Sequence, residues 1–192
     1  MMANPKKTKR LDARRNRDKI LTTVAQMIRE NDDVEAMKMT TIAKRAEIGV
    51  GTLYRHFENK SILCQAVIDN QIDEMLADIR TFLSEQMNAP LYDRVHGILA
   101  IFLTLKESNL NLLNFIEKNG LKINAMSGAP FYNDLYQYIQ REMEKESEIV
   151  DIELKIDMLL NAFSSDMYMF ERFTRGYSKD EYLKKLLNIY LK

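Results

Sequence analysis

The feature that most constrains this chain is an apolar period of helical type that persists almost from end to end. Ile20, Leu21, Val24, Met27 and Ile28 recur every three or four positions, as do Leu63, Val67, Met75, Ile79 and Phe82. That spacing lines one face of a helix, and no segment keeps the two-residue alternation of a strand for long. Only 6 glycines and 3 prolines punctuate 192 residues, which leaves little turn chemistry for a sandwich or barrel. The expectation is an all-α fold of about nine helices, with no internal repeat.

Local signals set the expected boundaries. Residues 1–10, "MMANPKKTKR", lack periodicity and read as a flexible basic arm, with Asp12 capping a first helix to about Asn31. Thr40 or Thr41 would cap a short helix through Glu47, and a second would run from near Gly51 to Phe57. Asn59 is the expected cap of a long helix. Pro90 suits the first turn of the next, from Leu91 to about Lys106. Asn119-Gly120 would close another helix, residues 121–129 would form a loop, and Pro130 would open an amphipathic helix. One long helix is expected from Ile152 to Arg175, stopped by Gly176. Ser178 and Glu181 then form a capping box for the last helix.

A net charge of zero conceals a polarity. Residues 1–60 carry 14 Lys/Arg against 8 Asp/Glu, a balance of +6, and residues 61–192 carry 14 against 20, a balance of −6. Such asymmetry points the front of the chain at a polyanion, although a lysine-rich start to a cytosolic chain has the same signature. Two domains are expected, 1–60 and 61–192. A single cysteine, Cys64, excludes an internal disulfide and argues against a thiolate metal site; its apolar neighbours read as core. "GILAIFL", the most apolar run, is far short of the ~20 residues needed to span a bilayer. No metal, cofactor or membrane partner is expected, and the location expected is cytoplasmic.

Residues 40–60, "TTIAKRAEIGVGTLYRHFENK", carry the most information. Ile42, Ala43, Ala46, Ile48, Leu53 and Phe57 would form the core of two short helices joined by a tight turn. A hairpin serving only packing explains that apolar pattern equally well. It leaves Thr41, Thr52, Tyr54, Arg55, His56 and Lys60 on the outward side without a reason. Thr41 and Lys60 stand near helix N-termini, where free N–H groups favour a phosphate. Gly49 could relieve strain in the turn, and Gly51 could let backbone approach a partner with no Cβ in the way.

"MTTIAKRAEIGVGTLYRHFENKSIL", residues 39–63, resembles the DNA-binding signature of the tetracycline-repressor (TetR) family of bacterial transcription regulators, above all in "GVGTLYRHFENK". The likeness covers roughly residues 12–63; Glu47 departs from it where the family often has glycine. The resemblance implies a helix-turn-helix domain before a divergent all-helical domain. It gives DNA-contacting positions to Thr40, Thr41, Gly49, Val50, Gly51, Thr52, Tyr54, Arg55, His56 and Lys60. Thr41, Tyr54 and Lys60 would anchor phosphates, whereas Val50, Thr52 and Arg55 would face base edges. For Arg55 another phosphate contact explains the residue as well.

The same resemblance implies a homodimer through the last two helices and a small-molecule effector bound in the second domain. Leu159 on one helix, with Leu183, Leu186, Leu187 and Tyr190 on the other, are the expected interface, although internal packing would explain either stripe. Phe102, Phe115, Met126, Tyr136, Phe163, Met167 and Phe170 are candidate pocket residues, and each could instead fill the core. Glu117 and Asp166, beside aromatics, could receive a lipophilic cation. The reading is thus a dimeric repressor, released from an inverted-repeat operator in double-stranded DNA by a largely apolar ligand. Control by a partner protein is the alternative. An enzyme is not expected, because phosphate-loop, paired-cysteine, zinc-protease and nucleophile-elbow motifs are missing and His96 stands alone.

Overall fold

The structure is a computed structural model that describes residues 5–30, 33–119, 131–146 and 148–191. Among the described residues it holds ten α-helices, one π-helical turn and no strand, which bears out the all-α expectation with one helix more. The chain divides into two compact units, residues 1–69 and 70–192. The division falls inside a helix, nine positions beyond the expected 60.

In the first unit α1 spans Pro5–Arg29. It starts earlier than Asp12 because Pro5 has the fixed φ of a first helical position and Lys, Arg and Leu propagate a helix well. The expected flexible arm is therefore helical from Pro5 onward. α2 (Met39–Arg45) and α3 (Val50–His56) follow, then α4 (Lys60–Glu85), whose first turns belong to this unit. Ile20, Val24, Met27, Ile42, Ala43, Ala46, Leu53, Phe57 and Leu63 are buried together as its core. Each large one contributes roughly 1.5–3 kcal/mol of burial, and Ala43 and Ala46 let α2 and α3 approach closely. Asn59 caps α4 as expected, its Oδ1 accepting from Ile62 N at 2.9 Å. Neither Thr40 nor Thr41 caps α2: the cap position is Lys38, without a side-chain bond.

The second unit contains the remainder of α4, then α5 (Leu91–Ser108), α6 (Leu110–Asn119), α7 (Tyr132–Met143), α8 (Ile152–Asn161), α9 (Ser165–Met169) and α10 (Lys179–Tyr190). α5 is the central rod, with Val95, Ile98, Leu99, Phe102 and Leu103 wholly buried, and it packs on α7 and α10. Gly97 admits α4 closely, since a Cβ there would collide with the Phe82 ring. The expected opening of α7 at Pro130 and the loop 121–129 lie outside the described residues.

The single helix expected from Ile152 to Arg175 is broken. After Asn161 the chain tightens, with Phe163 N bonding Leu160 O and Ser164 N bonding Asn161 O, each at 3.0 Å. α9 then starts afresh, and Phe170–Thr174 widens into a π-helical turn. The cause is tertiary: Glu117 of α6 reaches across and caps α9, its Oε2 accepting from Ser165 N at 2.7 Å. Gly176 stops the π turn in the left-handed region, φ +80°. Ser178 and Glu181 make both bonds of the expected capping box.

Candidate nucleic-acid interface

α3 is short, and its sequence divides sharply between inside and outside. Leu53 is wholly buried, whereas Val50 is 39 % and Tyr54 50 % exposed; Gly51 and Arg55 are exposed as well. Gly51 meets nothing within 4 Å where a Cβ would stand. No packing inside the protein therefore requires glycine at that helical position, where it costs about 1 kcal/mol against alanine. A bare backbone there leaves room for the close approach of a partner. Arg55 Nη2 donates to Thr52 Oγ1 at 3.1 Å, so these two candidate base readers form one polar unit.

The turn before α3 places the strain elsewhere than expected. Gly49 sits at an ordinary extended φ of −67° as the cap of α3. Glu47 is the left-handed residue, φ +50°. Ile48 N bonds Ala43 O at 3.0 Å and Glu47 N bonds Lys44 O at 3.1 Å, the pair of bonds that closes a helix around a left-handed residue, usually glycine. Lys19 Nζ of α1 holds the Glu47 carboxylate at 2.7 Å, and that bond lowers the carboxyl pKa below its ordinary value.

The remaining positions expected to meet DNA differ among themselves. Thr40 and Thr41 are exposed at the start of α2. Thr41 opens on a cleft of about 250 Å³ shared with Lys38 and Arg45, two cations that no sequence motif singles out. His56 is half-buried, its ring centroid 6.3 Å from that of Phe57. Lys60 is turned inward: its Nζ donates to Val34 O at 2.9 Å and Glu35 O at 2.7 Å. Those bonds fasten the start of α4 to the segment between α1 and α2.

In the second unit the expected pocket residues are brought together only in part. Phe102 and Phe163 are fully buried, ring centroids 6.0 Å apart, and Phe131 lies 5.1 Å from Phe102. Phe115 is buried and Tyr136 half-buried, while Asp166, Met167 and Phe170 face outward. Met126 lies outside the described residues. Glu117 does receive a cation, but one from its own chain. Lys106 Nζ, wholly buried, is 3.2 Å from Glu117 Oε1 and 2.9 Å from Ser165 Oγ. Burial drives the Lys106 pKa down, while the carboxylate pulls it back. No sequence motif marks this cluster; a lysine inside an apolar helix was the available signal. Cys64 is buried, which pushes its thiol pKa up to about 12 and leaves it unreactive.

The expected interface residues face inward too. Leu159, Leu183, Leu186 and Leu187 are buried within the single chain and Tyr190 is half-buried, because α10 packs on both α5 and α8. The apolar side chains that these helices leave outside are Leu154 and Met158 of α8 and Ile189 of α10, 62 %, 51 % and 68 % exposed.

Three consecutive helices, the last two joined by a tight turn and the third presenting exposed polar side chains and a bare glycine, define a helix-turn-helix DNA-binding protein. Comparison with known proteins agrees. Residues 23–67 match the model of bacterial regulatory proteins, tetR family. Over 191 residues, covering 100% of both chains, the protein is 40% identical to an HTH-type transcriptional regulator of Staphylococcus aureus strain MRSA252. A second regulator of that description from the same strain is 34% identical, over 95% of this chain and 96% of its own. A TetR transcriptional regulator from Rhodococcus sp. RHA1 shares the fold at a TM-score of 0.54 and 19% identity, over 93% of this chain and 97% of that one. The chain belongs to the tetR family of bacterial regulatory proteins and is a helix-turn-helix transcription regulator. Among its described residues no helix is long and apolar enough to cross a membrane.

Proposed function

We propose that this regulator binds an inverted-repeat operator as a homodimer and represses transcription until a small, largely apolar ligand releases it. The observation that carries the DNA reading is the outer face of α3, where Val50, Gly51, Tyr54 and Arg55 are exposed and Gly51 has no internal reason to be glycine. Tyr54, with Thr40 and Thr41 at the start of α2, holds phosphates and sets the register. Val50, Thr52 and Arg55 face base edges, and Gly49 and His56 flank them. Lys60 contributes by fixing α4 to the unit rather than by reaching the duplex.

The dimer is proposed through α8 and α10, with Leu154, Met158 and Ile189 at its centre, since these are the apolar side chains those helices leave exposed. A twofold dimer presents two copies of α3, so its half-sites should lie roughly 34–36 Å apart or a multiple of that. Footprinting of the DNA upstream of the protein's own gene tests the site, and Tyr54→Ala tests the face. The variant should bind every sequence more weakly with a shallower salt dependence. Wild-type behaviour of Tyr54→Ala would remove this face from the interface.

Support for a ligand is the cluster of large apolar side chains Phe102, Phe131, Phe163, Tyr168 and Tyr182, which pack on one another at the centre of the second unit with the buried Lys106 beside them and would have to part to admit one. A ligand that weakens operator binding tenfold must bind the DNA complex tenfold more weakly than the free protein, about 1.4 kcal/mol of coupling. Equal affinities in the two titrations would leave control by a partner protein as the reading.

A further inference from the structure

We infer that the amino-terminal half of α1 is a second DNA-contacting element, lying along the phosphates that flank the half-site met by α3. The inference rests on the DNA reading above and extends it to residues outside the helix-turn-helix.

Among the residues of α1 whose burial is described, the first buried one is Ile20, and residues 11–15 and 17–19 are exposed, so this stretch of the helix is not held by core packing. Residues 5–19 hold eight Lys/Arg against two Asp, Asp12 and Asp18. Positions 6, 10, 14 and 17, all basic, recur at spacings of four, four and three and so share one helical face; Asp12 falls on the opposite side. Within the protein this arrangement is unfavourable. Like charges one turn apart repel, and the first turn of α1 contains no acidic residue to meet the positive end of the helix dipole. A polyanion reverses the sign of both effects.

The place where this stripe leaves the core selects the polyanion. The Arg17 guanidinium lies over the Phe57 ring, 5.3 Å from its centroid, at the carboxyl end of α3. Two residues on, Lys19 binds Glu47 in the turn before α3. The basic face therefore begins at the helix that meets the DNA and continues away from it. From residue 17 to residue 5 the helix extends about 18 Å, which at 3.4 Å per phosphate along one strand spans about five phosphates. Duplex DNA running past α3 is the occupant that fits this length and charge.

The test is the triple variant Lys6→Ala/Arg10→Ala/Arg14→Ala in the full chain, leaving Arg17 against Phe57. Its control, Arg141→Ala/Lys155→Ala/Lys179→Ala, removes the same net charge from the second unit. Alanine is the better helix former at all three α1 positions, so circular dichroism should show helicity kept or raised. Against the operator, the slope of log affinity with log salt should become shallower by about 0.9 for each phosphate that the variant no longer neutralises. Hydroxyl-radical protection should disappear from the outer flank of each half-site, while the order of preference among operator sequences is retained. An unchanged slope and footprint, or an equal change in the control, would overturn the inference while leaving α3 as the reading element. A wild-type protein that prefers no inverted repeat would overturn the DNA reading itself, and this element with it.

Discussion

The two units use their polar side chains in opposite directions. In α3 one residue of the helix, Leu53, is buried, and the polar ones that follow the turn point away from the core. In the second unit Lys106, Glu117, Arg94, Glu142 and Glu171 point inward, and among the described residues no buried side-chain nitrogen or oxygen lacks a hydrogen-bond partner. Arg94 Nε, for instance, is 2.8 Å from Glu142 Oε2, joining α5 to α7. The outer face of α3 thus leaves polar side chains unused by the core, while the second unit buries part of its polar chemistry in its own architecture. The lesson is that a polar residue within an apolar pattern marks a site only when the fold leaves it unused.

Three sets of substitutions would break or sharpen this contrast. The largest effect belongs to the buried cluster. Lys106→Met leaves Glu117 without its counter-charge, and removing one member of a buried pair costs about 3–5 kcal/mol. Chemical denaturation should show that loss. The double variant Lys106→Met/Glu117→Gln should recover part of the loss, because an amide oxygen can still accept from Ser165 N. A single variant as stable as wild type would mean that the pair is not a structural tie.

The next effect separates the two sides of α10. Leu187 is wholly buried in the protomer, so Leu187→Ala should cost about 2–5 kcal/mol. Ile189→Glu, two positions on and 68 % exposed, should leave protomer stability within about 0.5 kcal/mol. It should nevertheless shift the proposed dimer toward monomer in analytical ultracentrifugation. If Ile189→Glu stays dimeric, the exposed faces of α8 and α10 are not the meeting surface.

The smallest effect is the most diagnostic for the first unit. Gly51→Ala adds a methyl that touches nothing in the protein, so it should stabilise α3 by up to about 1 kcal/mol. The same methyl should weaken operator binding, giving a higher melting temperature with poorer gel-shift affinity. Undiminished binding would remove close backbone approach as the reason for this glycine.

Much of the chain was legible without coordinates. Helical period located most helices, the Asn59 cap and the Ser178–Glu181 box appear as read, and the core of the helix-turn-helix contains Ile42, Ala43, Ala46, Leu53 and Phe57. Those signals are local: a cap, a period or a tight turn depends on residues within a few positions of one another. Glu47 marks the limit even there. Glycine is the residue expected to relieve strain in the turn, which points to Gly49, yet the bond from Ile48 N to Ala43 O closes the helix around Glu47, and Glu47 takes the left-handed conformation.

What only the tertiary structure decided was direction. Leu159, Leu183, Leu186 and Leu187 form stripes that would suit a second subunit or a neighbouring helix equally, and the packing of α10 on α5 and α8 turned them inward. Likewise the break between α8 and α9 follows from Glu117, 48 positions away in sequence, which caps Ser165 and takes the charge of Lys106. Period and capping are properties of a segment, so the sequence determined most of the helices, though not the division of α8 from α9. Which face of each is buried, and which carboxylate meets which lysine, depends on contacts between distant segments, and those are set only when the helices pack.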